Sequence, residues 1–197
     1  MLKNIPVFAW IGLAMALLVG VCISTANAQT LAEDRAALVA LYDATGGARW
    51  TTKTNWKTAA SVSTWHGVTV SNGRVTSLSL NNNNLSGALP AALGSLTGLV
   101  VLALSNNDLD GEIPRELGRL ASLTVLNLYR NQLAGRIPPQ LGDLASLNRL
   151  YLNGNQLTGS IPPELGNLAR LTVLSLGGNQ LTGRIPPSWA TLPDSPC

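Results

Sequence analysis

Few residues in this chain are equipped for catalysis, and their types decide which reactions are open to it. His66 is the single imidazole among 197 residues. A serine nucleophile activated by a histidine base and an orienting carboxylate would depend wholly on it. It falls inside Trp65-His66-Gly67-Val68, where a structural or exposed role is the expectation. Asn106, Asp108, Asp110 and Gly111 have the spacing that opens a calcium loop, but the twelfth position, where a bidentate glutamate belongs, is Leu117. One histidine also excludes an imidazole-based metal cluster. No catalytic residue, metal site or cofactor is assigned. Recognition chemistry remains. Asn127, Tyr129, Arg130, Arg149 and Tyr151 combine aromatic area with planar donors, and Tyr and Arg are the types enriched where proteins bind partners.

The elements that must carry these five come from an internal repeat with a 24-residue period. Lines begun at Val75, Leu99, Leu123, Leu147 and Leu171 are evenly spaced, and their columns align. Leu78, Leu102, Leu126, Leu150 and Leu174 form one column; Leu80, Leu104, Leu128, Leu152 and Leu176 form the next. Asn83, Asn107, Asn131, Asn155 and Asn179 follow, then a Leu column from Leu85 to Leu181 and a Gly column from Gly87 to Gly183. Pro90, Pro114, Pro138, Pro162 and Pro186 close the set. The calcium-like spacing is a by-product of these columns.

Each column has a physical task. Leu-x-Leu puts leucine on one face of a short strand and x on the other. Strands of successive turns stack into a parallel sheet whose leucines merge into one core. An asparagine side chain offers both donor and acceptor, so a ladder of them can bond the backbone where the chain bends inward. Glycine opens backbone conformations closed to other residues. Proline, lacking an N–H, suits the convex segment. The step Leu117-Gly118-x-Leu120 packs the far side of the coil.

The pattern resembles the plant-type leucine-rich repeat, L-x-x-L-x-x-L-x-L-x-x-N-x-L-x-G-x-I-P-x-x-L-G-x-L, which Leu123 to Leu144 follow almost without exception. The resemblance runs from about Arg74 to Leu192. It implies an α/β repeat solenoid, curved, with a parallel sheet on the concave face and a helical N-terminal cap. Such repeats occur in receptor-kinase ectodomains, in extracellular inhibitors of cell-wall-degrading enzymes and in exported microbial proteins; no kinase segment is present here. It also implies that Asp34 to Tyr42, Trp50, Trp56 and the Trp65 motif form the cap. Plant versions flank that motif with a cysteine pair, where this chain has Ser63 and Val70. Tryptophan packing is expected in place of the disulfide, with a carbohydrate-binding platform as the alternative for the three rings.

The ends and the composition fill in the rest. Residues 1–28 read as a secretory signal peptide: Lys3, an apolar run from Ile5 to Ile23, and Ala26-Asn27-Ala28 as the cleavage site. The apolar run is nearly long enough to be a membrane anchor, but the cleavage site favours removal. Val21 stands where a lipoprotein signal needs a small residue before Cys22. Cleavage would leave Cys197 as the sole cysteine, hence no internal disulfide. Residues 29–74 are read as the cap, opened by Thr30-Leu31-Ala32-Glu33 as a capping box, 75–192 as five repeats with the last partial, and 193–197 as a tail. Trp189 is placed over the final core edge. The net charge of +3 is carried without any Lys/Arg block, so no nucleic acid is expected as partner. No further apolar stretch of spanning length follows, so no membrane span is expected in the mature chain. Asn84-Leu85-Ser86 is a glycosylation sequon, relevant in a eukaryotic host.

Function must then be sought at exposed strand positions. Ser79, Ala103, Asn127, Tyr151 and Ser175 form one exposed column, Asn81, Ser105, Tyr129, Asn153 and Gly177 another, and Asn82, Asn106, Arg130, Gly154 and Gly178 a third. Exposure makes Asn82→Ala an expected near-neutral change. Most of these residues are small. The third and fourth repeats differ, which is read either as a binding face for a protein, peptide or glycan or as ordinary surface variation. A structural or adhesive solenoid binding ice or matrix, or a piece of a larger receptor ectodomain, is the alternative. A regular ligand would require a repeated exposed row; Thr158 and Thr182 begin one, but Ser86, Asp110 and Ala134 break it. Arg136, Arg170 and Arg184 are expected on turns or the convex side, solvated. The predicted location is secreted or extracytoplasmic.

Overall fold

A single repeat carrying two inward leucines per strand cannot bury them alone, and the computed structural model shows how neighbouring turns do it for one another. It describes residues 31–183. The segment 1–28, Thr30, Arg184, Pro186, Trp189 and Cys197 lie outside the described residues.

The chain enters through a helix, α1 (residues 31–44), that buries Asp34, Ala37, Leu38 and Leu41. That spacing is one helical face. Asp34, wholly buried, accepts hydrogen bonds from Arg74 Nε and Nη2 at 3.1 and 3.0 Å and from the Val75 amide at 2.8 Å. The helix is thereby tied to the first strand of the repeat sheet.

Among the described residues the main sheet has six strands. β1 (Val68–Ser71) and β2 (Arg74–Ser79) form an antiparallel hairpin, closed by Asn72 and Gly73 at φ +50° and +70°. An Asn-Gly pair with positive φ is the favoured two-residue hairpin turn. After β3 (Ser86–Ala88), which lies in another sheet, β4 (Val101–Ala103) pairs with β2 in parallel. β5 (Asp108–Asp110) again lies elsewhere; β6 (Val125–Asn127), β7 (Arg149–Tyr151) and, after β8 (Thr158–Ser160), β9 (Val173–Ser175) extend the sheet in the order β1-β2-β4-β6-β7-β9. Concave partners are column mates, one full repeat apart, as in Leu102↔Leu126↔Leu150↔Leu174.

On the flank, β3 pairs with β5 and β10 (Gln180–Thr182) with β8, with bridges Glu112↔Ala134 and Arg136↔Thr158 between them. This second line of pairing lies outside the Leu-x-Leu columns. Its register falls short of a full repeat: Ser86 faces Asp108 instead of its column mate Asp110, and Thr158 faces Gln180 instead of Thr182. The Thr158/Thr182 row read from the sequence therefore does not align across the flank.

On the convex side Pro90, Pro114, Pro138 and Pro162 each lead into a 3-10 turn (Ala91–Ser95, Arg115–Arg119, Pro139–Asp143, Pro163–Asn167). Short 3-10 pieces suit a chain that must reverse within a few residues. They pack backbone to backbone. A Cβ added at Gly118 would lie 2.3 Å from Gln140 O, so only glycine fits there. Between sheet and turns the leucine columns are sealed, with Leu102, Leu126, Leu150, Leu104, Leu128 and Leu152 at 0% exposure. Leu174, Leu176 and Leu181, on the last described turn, are half-buried.

Trp50, Trp56 and Trp65 are 3%, 4% and 2% exposed. Tyr42–Trp50, Trp50–Trp56 and Trp56–Trp65 stand 5.2, 4.8 and 4.9 Å apart, centroid to centroid. Their N–H groups are used internally: Trp50 Nε1 donates to Thr45 O and Trp56 Nε1 to His66 O. Rings this enclosed form no carbohydrate platform. They fasten the cap by packing.

Candidate functional site

The concave face takes its character from β6 and β7 and the loops that follow them. Asn127 pairs with Tyr151, and the row continues to Ala103 on one side and Ser175 on the other. Arg149 stands between Val125 and Val173. Adjacent strands are about 4.8 Å apart, so Asn127, Arg149 and Tyr151 share one small area. Tyr129 and Arg130 leave β6 just beyond it. Arg130 and Arg149 are exposed; Asn127, Tyr129 and Tyr151 are half-buried. The five residues are thus brought together.

Their roles differ. Asn127 Oδ1 accepts the Tyr129 amide at 3.0 Å, which fixes the course of the chain leaving β6. The Arg130 guanidinium lies 5.1 Å from the Tyr129 ring centroid, a cation–π distance. Asn153, in the same column as Tyr129, belongs to this patch and was not singled out from the sequence, although its column placed it there. Its Oδ1 is shielded and has no hydrogen-bond partner. At Gly177, two turns beyond Tyr129 in the same column, an added Cβ would meet nothing within 4 Å.

The third exposed column has a feature invisible in composition. Asn82, Asn106, Arg130, Gly154 and Gly178 all take left-handed backbone, with φ of +53°, +54°, +50°, +69° and +66°. Asparagine and glycine tolerate that region and arginine does so poorly. This also corrects the expectation for Asn82→Ala. The position is exposed, but alanine there must adopt φ near +53°.

Behind the face lies the asparagine column. Asn83, Asn107, Asn131 and Asn155 are 2–8% exposed, and Asn179 is half-buried. Asn131 Oδ1 accepts the Leu109 amide at 3.1 Å, while its Nδ2 donates to Leu104 O and Leu128 O. Asn155 and Asn179 repeat this on the amides of Leu133 and Leu157. Asn107 Oδ1 accepts two amides, from Asn83 and Leu85. Asn83 binds Thr52 of the cap, amide and carbonyl both.

Other candidates lie apart. His66 is exposed, with its backbone engaged by Thr54 and Trp56. Asp108 and Asp110 are exposed on β5, and Asp108 accepts from Gln132 at 3.0 Å. Among the described residues no three of His, Cys, Asp and Glu gather as a metal site. Two depressions lie on the convex side and flank, one lined by Arg115, Arg119, Gln140 and Asp143, the other by Glu112, Arg136 and Thr158. There the Glu116 carboxyl is held below its ordinary range, first by its own backbone amide and then by Arg115. Charges of both signs meet in these hollows.

A leucine rich repeat family model matches residues 73–133, and a second, of two repeat copies, matches 145–188. The chain is similar to the BIR2 ectodomain from Arabidopsis thaliana, at 34% identity and TM-score 0.74, over 81% of this chain and 86% of that one. It is similar to the ectodomain of the plant membrane receptor kinase GASSHO1/SCHENGEN3 from the same organism, solved in complex with CASPARIAN STRIP INTEGRITY FACTOR 2, at 35% identity and TM-score 0.75, over 80% of this chain and 19% of that one. A plant ice-binding protein matches at 30% identity and TM-score 0.59, over 80% of this chain and 59% of that one. Repeat period, buried asparagine column, concave parallel sheet and these likenesses agree, and the chain belongs to the leucine-rich repeat family.

Proposed function

We propose that this chain is an exported, non-catalytic binding module that recognises a protein, peptide or glycan through the concave face. Asn127, Tyr129, Arg130, Arg149 and Tyr151 form the contact surface. The observation that carries this reading is local: two tyrosines and two arginines stand side by side on a sheet face whose other positions are mostly small or weakly polar. Tyrosine brings large contact area with few rotors to freeze, and arginine brings planar donors. The solved relatives support it, since GASSHO1/SCHENGEN3 was captured with a bound partner. Residues 1–28 serve as the export segment, 29–74 as the cap, 75–192 as the repeats and 193–197 as the tail. Among the described residues no helix is long and apolar enough to cross a membrane. Ice or matrix binding has an ice-binding relative in its favour, but it needs a repeated flat row, and the flank register sets Thr158 beside Gln180.

The test is retrieval of a partner from extracellular material by the immobilised chain. Tyr129→Ala with Tyr151→Ala should lose it at least thirtyfold, as hot-spot truncation typically does. Arg136→Ala, on the flank, should retain it. Unchanged retrieval by the tyrosine double variant moves the site off the concave face.

A further inference from the structure

The concave face carries unanswered positive charge, and we propose that its occupant is an acidic extended peptide segment, selected by Arg130 and Arg149. The proposal rests on the concave binding reading and narrows it to one ligand chemistry. Three observations carry it.

The first is the distribution of carboxylates. Every described acidic residue lies on the cap, on the flank or on the convex side: Asp34 and Asp43 in α1, Asp108 and Asp110 on β5, Glu116 and Asp143 in the 3-10 turns, for example. None occupies a concave strand position of any turn. The ion pairs of the described residues are Lys57–Asp43, Arg74–Asp34 and Arg115–Glu116, and none involves Arg130 or Arg149. A sheet face with two arginines and no acid attracts anions, and its complement is a negative partner.

The second is the backbone at Arg130. Its column is otherwise asparagine and glycine, all left-handed, and Arg130 holds φ +50° in their place. Folding would be better served by glycine or asparagine at this position. A residue kept in a poorly tolerated conformation, exposed and without an ion-pair partner, points to use by a ligand. Tyr129 braces the guanidinium from one side, so less side-chain freedom is lost on binding.

The third separates peptide from acidic sugar. Arg149 is flanked on both neighbouring strands by valines, Val125 and Val173, each half-buried, with Val101 next in the row. Apolar side chains on both sides of an arginine suit an extended chain whose sheet-facing residues, every second one, are apolar and acidic in turn. A uronic acid polymer would set hydroxyls against those valines.

The experiment uses the whole chain and labelled synthetic dodecapeptides repeating Glu-Ser-Val-Ser, Gln-Ser-Val-Ser or Lys-Ser-Val-Ser, called Glu-Val, Gln-Val and Lys-Val after the residues that share one face, followed by fluorescence anisotropy at low and physiological salt. The Glu-Val peptide should bind at least tenfold tighter than Gln-Val at low salt, with the gap narrowing as salt rises. Arg130→Asn should reduce that preference about fivefold or more while raising the thermal midpoint by roughly 1–4 °C, the scale of a small stabilisation in a chain of this size. Arg149→Gln should reduce it comparably, and Arg115→Gln with Arg119→Gln should leave it unchanged. Equal binding of Glu-Val and Gln-Val, or full preference retained by Arg130→Asn, overturns the proposal; so does tighter binding of an oligogalacturonate than of Glu-Val. If all three peptides bind alike and Tyr129→Ala with Tyr151→Ala removes them, the acidic preference fails while the concave site survives.

Discussion

Asn131→Ala asks how much one rung of the asparagine column contributes. The carbonyls that Asn131 serves are doubly bonded: Leu104 O also accepts from Asn107 Nδ2, and Leu128 O also accepts from Asn155 Nδ2. Removing one amide leaves both oxygens a partner. The Leu109 amide, in contrast, loses its bond to Asn131 Oδ1 in a buried site. One stranded buried donor costs about 1–3 kcal/mol, and the small void adds to it. Asn107→Ala strands two amides, those of Asn83 and Leu85, takes from Leu80 O its bond to Asn107 Nδ2, and should cost at least twice as much. Asn131→Asp should be worse than Asn131→Ala, because an ionised carboxylate cannot donate and would face two carbonyl oxygens. Gln156→Ala is the control. It is exposed on the flank and should lie within about 0.5 kcal/mol of the parent. Urea unfolding of the four variants gives the comparison. If Asn131→Ala falls with Gln156→Ala, or if Asn107→Ala is no worse than Asn131→Ala, the shared-carbonyl account of the ladder is wrong.

Gly118→Ala should destabilise by about 3 kcal/mol, because its Cβ would sit 2.3 Å from a backbone oxygen that cannot retreat; a thermal midpoint equal to the parent's contradicts the close stacking of the convex turns. Asn82→Ala, though exposed, should cost about 1 kcal/mol for its left-handed backbone, and Asn82→Gly should recover most of it in the same denaturation series. Asp34→Ala should cost about 3 kcal/mol, since it leaves the Arg74 guanidinium and the Val75 amide without their acceptor; loss of α1 helicity by circular dichroism at lower denaturant than the repeats would locate the damage in the cap. The exported protein should begin at Gln29 by N-terminal sequencing, and a species beginning at Met1 would count against cleavage.

The sequence by itself determined whatever is decided within one turn and repeated. Leucines two apart must face one way on a strand, so the core columns, the parallel concave sheet and its full-repeat register were legible from periodicity. The convergence of Asn127, Arg149 and Tyr151 was legible for the same reason, because one register fixes every concave neighbour. The tertiary structure decided what depends on how turns lean on one another. The flank sets Ser86 against Asp108, short of its column mate, while the concave face pairs column mates such as Leu102 and Leu126. The tertiary structure also decided that three tryptophans close over one another, although ring hydrophobicity alone is compatible with a cap or a platform. The left-handed turn at Arg130 was out of reach too. Arginine carries no local signal for that conformation, and backbone hydrogen bonds to the neighbouring turns, from Arg130 N to Asn153 O and from Asn107 N to Arg130 O, tie the chain there.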